Sequence, residues 1–238
     1  MGKVLTLARR ELAGYFFSPM AYVIGAVFML ASGLWFFHSI FVPGNEASLR
    51  PLFEAMAYIM VFAVPMLTMR QLSEEFRSGT IETLMTVPVS DAQVILGKFL
   101  GVMGFYLMLL AGTLVFLVLI VVYGQGDGGI AAMGYLGMIL LGSTFVSVGI
   151  FTSTLTRYQI VAAIVGIAIL AVFAILMQLV MLYGVEPWST FAGNINAMTY
   201  FKDFARGVFD SRGLVFFVTS SALFLFLSVK TLESQRWR

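Results

Sequence analysis

Residues Phe99–Tyr123 read FLGVMGFYLMLLAGTLVFLVLIVVY, 25 consecutive positions without an aspartate, glutamate, lysine, arginine or histidine. At 1.5 Å of rise per residue, a helix of that length covers about 37 Å, more than the roughly 30 Å hydrocarbon core of a bilayer. A helix that is apolar all round has no face to show to water; it lies in a large core or crosses a membrane. Composition decides between the two. Of the 238 residues 60% are hydrophobic and 11% charged, against about 25% charged in a soluble domain. So few charges cannot cover a water-facing surface of this size, so lipid must cover most of it.

Outward from this run, five others have the length and composition of spans: Met20–Val42 and Leu52–Met69 before it, and Ile130–Leu155, Ile160–Tyr183 and Leu214–Val229 after it. The last is short and can begin nearer Phe209. The expected fold is therefore an all-α polytopic membrane protein with six transmembrane helices, a single transmembrane domain over residues 1–238. Lysine and arginine between the runs set the orientation. One side carries Lys3, Arg9, Arg10, Arg70, Arg77, Lys98, Arg157, Lys230, Arg236 and Arg238; the other carries Arg50, Lys202, Arg206 and Arg212. Ten against four places the first side, with both termini, in the cytoplasm.

The segment before the first span, residues 1–18, is amphipathic. On a helical wheel Val4, Leu5, Ala8, Leu12, Tyr15 and Phe16 share a face; Lys3, Thr6, Arg9, Arg10 and Gly14 fall opposite, with Leu7 and Glu11 imperfect members. This is the pattern of a helix at the inner membrane surface with its basic side toward anionic lipid, or of a solvated cytoplasmic helix. Ser18-Pro19 then breaks it. The first apolar run is too long for a signal-peptide core. Met1-Gly2 with Thr6 meets the loose myristoylation pattern, a weak signal in a chain already anchored by several spans.

The cytoplasmic stretch Arg70–Lys98, RQLSEEFRSGTIETLMTVPVSDAQVILGK, is too long for a simple turn. Gln71–Arg77 can carry the second helix onward; Gly79 interrupts; Thr80 can cap a short helix from Ile81 to Val87, which Pro88 ends. Ser90 with Gln93 forms a capping box for the next long helix. The product is an elbow whose short helix stands away from the membrane. Its apolar Ile81, Leu84, Met85 and Val87 sit beside Glu82, a combination costly in water unless a partner covers it or it packs on the chain's own helices. In the outer loop, residues 184–213, Met198, Phe201, Phe204, Ala205 and Val208 form one helical face, and Trp188, Phe191, Tyr200 and Phe209 suit the headgroup level. A short helix dipping into the outer leaflet and a loop folded on the protein surface both fit.

Several chemistries are missing from the residues. There is no cysteine and a single histidine, His38, so thiolate sites and HExxH motifs are excluded. No G-x-x-x-x-G-K-[ST] loop exists; Gly97-Lys98 is followed by Phe99. Gly142-Ser143 lies on a different span from His38, which offers no serine–histidine pair. Glu54 and His38 sit at outer span ends, leaving no mid-membrane carboxylate for an ion-coupled carrier. Spaced small residues, among them Gly97, Gly101, Gly104, Gly134, Gly137, Gly142, Gly149 and Gly166, mark close helix contact. The 15 methionines read as packing rather than copper ligands.

The string Glu74-Glu75-Phe76-Arg77-Ser78-Gly79-Thr80-Ile81-Glu82-Thr83-Leu84-Met85-Thr86-Val87-Pro88-Val89, then Gly97-Lys98, resembles the cytoplasmic loop of ABC-2-type permeases, the membrane subunits of one class of ABC transporters. Phe201-Lys202-Asp203-Phe204-Ala205-Arg206-Gly207-Val208-Phe209-Asp210-Ser211-Arg212 resembles the stretch before the last span in the gliding-motility and nitrous-oxide-reductase-maturation branch, with Tyr200 and Gly213 as departures. The resemblance implies a non-enzymatic permease in a bacterial cytoplasmic (inner) membrane. It implies a dimer with a second copy or a related permease, and a separate cytoplasmic ATPase that holds the ATP and magnesium. An accessory protein with an extracytoplasmic domain is a further implied partner; nucleic acid is not. Under this resemblance Glu74, Glu75, Arg77, Gly79, Thr80, Ile81, Glu82, Leu84, Met85 and Pro88 form the coupling elbow. Arg9, Arg10, Tyr15 and Phe16 belong to the interfacial connecting helix, and Phe201, Phe204, Arg206, Gly207 and Asp210 to the outer loop. Export is the implied direction. A membrane scaffold that couples an ATPase to mechanical signalling, and an ion-coupled carrier, are the alternatives.

Overall fold

The computed structural model describes residues 2–41, 48–80, 89–123 and 128–236. They form helices joined by turns, with no strand among the described residues. Helix α1 (Gly2–Phe16) precedes α2 (Pro19–Phe41), then α3 (Arg50–Thr68) and the short α4 (Ser73–Ser78). Helices α5 (Asp91–Gly112) and α6 (Leu114–Tyr123) run on from one another, followed by α7 (Gly128–Leu155). Next come α8 (Gln159–Ala171), a π-helical turn (Val172–Leu176) and α9 (Met177–Tyr183). Helices α10 (Trp188–Ile195) and α11 (Ala197–Ala205) lead to α12 (Ser211–Arg236).

Among the described residues six stretches are long and apolar enough to cross a membrane: Pro19–Ser39, Arg50–Ser78, Asp91–Val122, Gly128–Leu155, Gln159–Tyr183 and Ser211–Gln235. Each overlaps one of the six sequence runs. The sixth is longer than its run at both ends. At its start the Asp210 carboxylate accepts the Arg212 N–H at 2.9 Å, so the helix opens at Ser211 rather than Leu214. Near its end Gln235 Nε2 donates to the Thr154 carbonyl at 2.9 Å, tying it to α7.

Local chemistry explains the other starts. Pro19 and Pro51 lie in first turns, where a missing N–H costs nothing. Ser90 Oγ accepts the Gln93 N–H at 3.3 Å while Gln93 Oε1 accepts the Ser90 N–H at 3.2 Å, the reciprocal cap expected from the sequence.

Helices α7 and α3 form the centre. In their most apolar windows 72% and 61% of residues are buried, against 22–33% in the other four spans, which therefore make the perimeter. Absent side chains on α7 let its neighbours approach: a Cβ on Gly142 would lie 2.3 Å from the Tyr106 ring, and one on Gly149 2.1 Å from Thr68 Oγ1. Tyr106 uses the space to donate to the Met138 carbonyl at 2.7 Å. Hydroxyls join α7 to α12: Ser221 Oγ lies 3.1 Å from both Ser143 Oγ and Thr144 Oγ1.

At the end of the bundle that holds α10 and α11, Asn196 accepts the Met198 N–H at 2.9 Å and so caps α11. Its amide donates to Gln178 Oε1 at 2.8 Å. Met198, Phe201, Phe204 and Ala205 are fully buried, while Val208 is exposed. The apolar face of α11 is therefore taken by protein, not by lipid. Gly137 of α7 provides the seat, since a Cβ there would lie 2.6 Å from Phe204 Cβ. Trp188, Phe191 and Phe209 remain on the surface.

Candidate functional site

The opposite end of the bundle gathers the elbow, the N-terminal helix and the entrance to the third span. Gly97 and Gly101 are four apart on α5, and both face α1. A Cβ on Gly97 would lie 2.7 Å from Leu7 Cβ, and one on Gly101 2.6 Å from Glu11 Cβ and 3.1 Å from the Ala8 carbonyl. The two glycines thus form a groove in which α1 sits almost backbone to backbone. The packed edge is Val4, Leu7, Ala8, Glu11, Leu12 and Tyr15. Leu5 and Phe16, placed on the apolar face by the wheel, are exposed, whereas Leu7 and Glu11, set aside by it, are packed. The groove's position, which a wheel does not contain, decides which edge is covered. Arg9 and Arg10 are exposed.

Tyr15 locks the end of α1. Its hydroxyl donates to the Leu67 carbonyl at 2.9 Å and accepts from Gln71 Nε2 at 2.8 Å. Burial pushes the ionisation of this phenol up, so it stays a neutral donor. Its ring stacks on Phe105 with centroids 4.8 Å apart.

Between α3 and α4 the helix breaks over Met69–Leu72. The break is satisfied from α7, because Ser153 Oγ accepts the N–H of Leu72 at 2.9 Å and of Ser73 at 3.1 Å and donates to the Met69 carbonyl at 3.2 Å. Ser73 Oγ also donates to Met69 O. A break with its backbone groups paired can remain buried. Past it, α4 ends at Gly79, whose φ of +72° is the left-handed conformation that glycine adopts without strain.

Lys98 lies at the centre. It is 1% exposed, and its Nζ stands 2.7 Å from Glu75 Oε1 and 3.2 Å from Glu11 Oε1. One ammonium thus joins α4 of the elbow and α1 to the entrance of the third span. An ammonium buried this fully needs such partners. Glu74, Arg77, Gly79 and Thr80 are exposed around it, and Ser78 Oγ lies 2.8 Å from Thr80 Oγ1. Ile81, Glu82, Leu84, Met85 and Pro88 lie outside the described residues. Arg206 is exposed beside Gly207, whose φ of +85° closes α11 at the other end of the bundle. Phe201, Phe204 and Asp210 serve packing and helix start, as described above.

The elbow and the outer loop are therefore at opposite ends, and the structure brings Tyr15 and Glu75 together at one of them. Glu11, Gln71 and Ser153 were not singled out by sequence as parts of this site, and Lys98 entered only through the Gly97-Lys98 pair of the resemblance, without a role. For Glu11 the signal was a carboxylate on the wrong edge of an amphipathic helix. For Ser153 there was none beyond a hydroxyl-rich end to the fourth run.

No curated protein matches the sequence. A model of the ABC-2 family transporter protein matches residues 6–230, covering the first five crossing helices, most of the sixth and the site just described. The chain belongs to the ABC-2 transporter family.

Proposed function

We propose that this chain is the membrane-spanning subunit of an ABC transporter whose elbow, α4 with the residues after Gly79, couples it to a separate cytoplasmic ATPase. Membership of the family makes it a transport component of the membrane. The observation that carries the finer reading is the Lys98 junction, which joins α4 to α1 and to the third span at once. A load applied to the elbow from the cytoplasm reaches two other elements through it. In this reading both termini are cytoplasmic, ATP and magnesium belong to the partner, and the chain works as a dimer with a copy of itself or a related permease. Transport runs outward. The outer-loop string supports a place in the gliding-motility and nitrous-oxide-reductase-maturation branch, with an accessory extracytoplasmic protein as partner and a bacterial inner membrane as location.

Leu84→Asp and Met85→Asp test the coupling. Each puts a carboxylate at the contact with the ATPase, which is unfavourable without a partner charge. Both variants are expected to insert and accumulate while losing co-purification of the ATPase or transport-coupled hydrolysis. Wild-type ATPase binding and transport in both would remove the elbow from the coupling path.

A further inference from the structure

Beside the Lys98 junction lies a cavity of about 360 Å³ between α1, the start of α2 and the end of α3, within the roughly 300–1,000 Å³ usual for small-ligand sites. Its walls carry three cationic and three anionic side chains: Arg10, Arg70 and Lys98 against Glu11, Glu74 and Glu75. Two residues of its lining, Gln71 and Glu75, each carry a buried acceptor, Oε1 and Oε2, that receives no hydrogen bond among the described residues. The Gln71 acceptor is fixed by its neighbours. The single proton of Tyr15 is given to the Leu67 carbonyl, so the phenol oxygen can only accept from Gln71, which must present Nε2 to it. That leaves Oε1 free, on a residue 7% exposed. A buried acceptor without a donor is costly, and two beside one cavity call for a ligand rich in N–H groups.

The other walls define the rest of that ligand. Arg10 stands exposed on the rim. Arg70 holds its Nε to Gln159 Oε1 at 3.2 Å, which steadies its guanidinium. Two guanidiniums at a cavity mouth suit a phosphate. Met20, Ala21 and Ile24 form an apolar side, and Met66, 40% exposed, carries it out to the surface of its span.

We infer that this cavity is a binding site for the headgroup of a phospholipid with a primary ammonium, an ethanolamine lipid. The ammonium donates to Gln71 Oε1 and Glu75 Oε2, the phosphate meets Arg10 and Arg70, and the chains leave past Met66. A choline headgroup carries no N–H and cannot satisfy the acceptors. The site goes beyond the permease reading and takes from it only that this end of the bundle faces the inner leaflet.

The test is native mass spectrometry of the full chain in detergent. The probes are dioleoyl lipids whose headgroup amine carries none, one, two or three methyl groups. Retention is expected to fall along the series as donors are lost. It should differ by about tenfold or more between its ends, the scale of one charge-assisted hydrogen bond. Gln71→Met should flatten the series, and Arg10→Gln should weaken every member while keeping their order. If Gln71→Met does not fold, the wild-type series and the rim variant still decide. Equal retention of all four lipids, or unchanged retention in Arg10→Gln, overturns the site. Displacement of the lipid by equimolar glycerophosphoethanolamine assigns the cavity to a free phosphoester and overturns the lipid assignment. No readout involves an ATPase or transport, so failure here is separable from failure of the coupling reading.

Discussion

Lys98 is the residue on which the most depends. Removing it alone leaves Glu11 and Glu75, each 16% exposed, facing one another without their cation. Breaking a buried ion pair in this one-sided way costs on the order of 3–5 kcal/mol, whereas replacing the whole set by neutral groups is often tolerated. Lys98→Met is expected to lower thermal stability in detergent by that order, and Glu11→Gln/Glu75→Gln/Lys98→Met to recover most of it. A triple variant no more stable than the single one would show that packing, not charge, sets the cost. The lysine itself was legible as one of the basic residues on the inner side. Its role was not, because its partners lie 87 and 23 positions away. A sequence shows charge and burial tendency but not which distant carboxylates will meet.

At the scale of elements, apolar run length identified each of the six crossing helices found among the described residues, since it is a property of the local sequence alone. The spaced glycines announced close contact, but not between which helices. In the event Gly97 and Gly101 receive α1, and Gly137 receives α11. That pairing overruled the wheel for α1, and it turned the apolar face of α11 inward. The groove gives a graded prediction. Gly101→Leu meets the backbone of α1 and should dislodge it, seen as faster trypsin cleavage after Arg9 and Arg10. Gly104→Ala should leave cleavage unchanged, because its Cβ would find Leu12 Cδ1 at an ordinary 3.4 Å. Equal cleavage in both variants would remove the glycine groove as the anchor of α1. The capping box at Ser90 and the turn at Gly79 were readable in advance because they depend on residues three or fewer positions apart.

For the whole molecule the ten-to-four split of basic residues predicts the orientation. The chain has no cysteine, so single ones report cleanly. Cysteine in place of exposed Ser78 is expected to resist an impermeant thiol reagent in intact cells, and cysteine in place of Gly128 to react; the reverse pattern would invert the protein. The sequence also lacks a phosphate loop, so the purified chain alone should hydrolyse no ATP. Sustained hydrolysis with contamination excluded would end the division of labour with a separate ATPase.

The seat of α1 also has a consequence for biogenesis. A chain leaves the ribosome N-terminus first, and the groove that receives α1 lies on a helix completed about a hundred residues later. The Tyr15 contact with Leu67 closes over 52 positions, and the Glu11 contact with Lys98 over 87. Until the third span has been made and inserted, the first helix has no glycine groove to enter and Glu11 has no lysine to meet, which leaves Tyr15 as its one available anchor among the contacts described. The N-terminal helix is thus the first piece synthesised and among the last to find its place. A nascent chain arrested before Lys98 should leave Arg9 and Arg10 open to protease, and one arrested well beyond α5 should protect them.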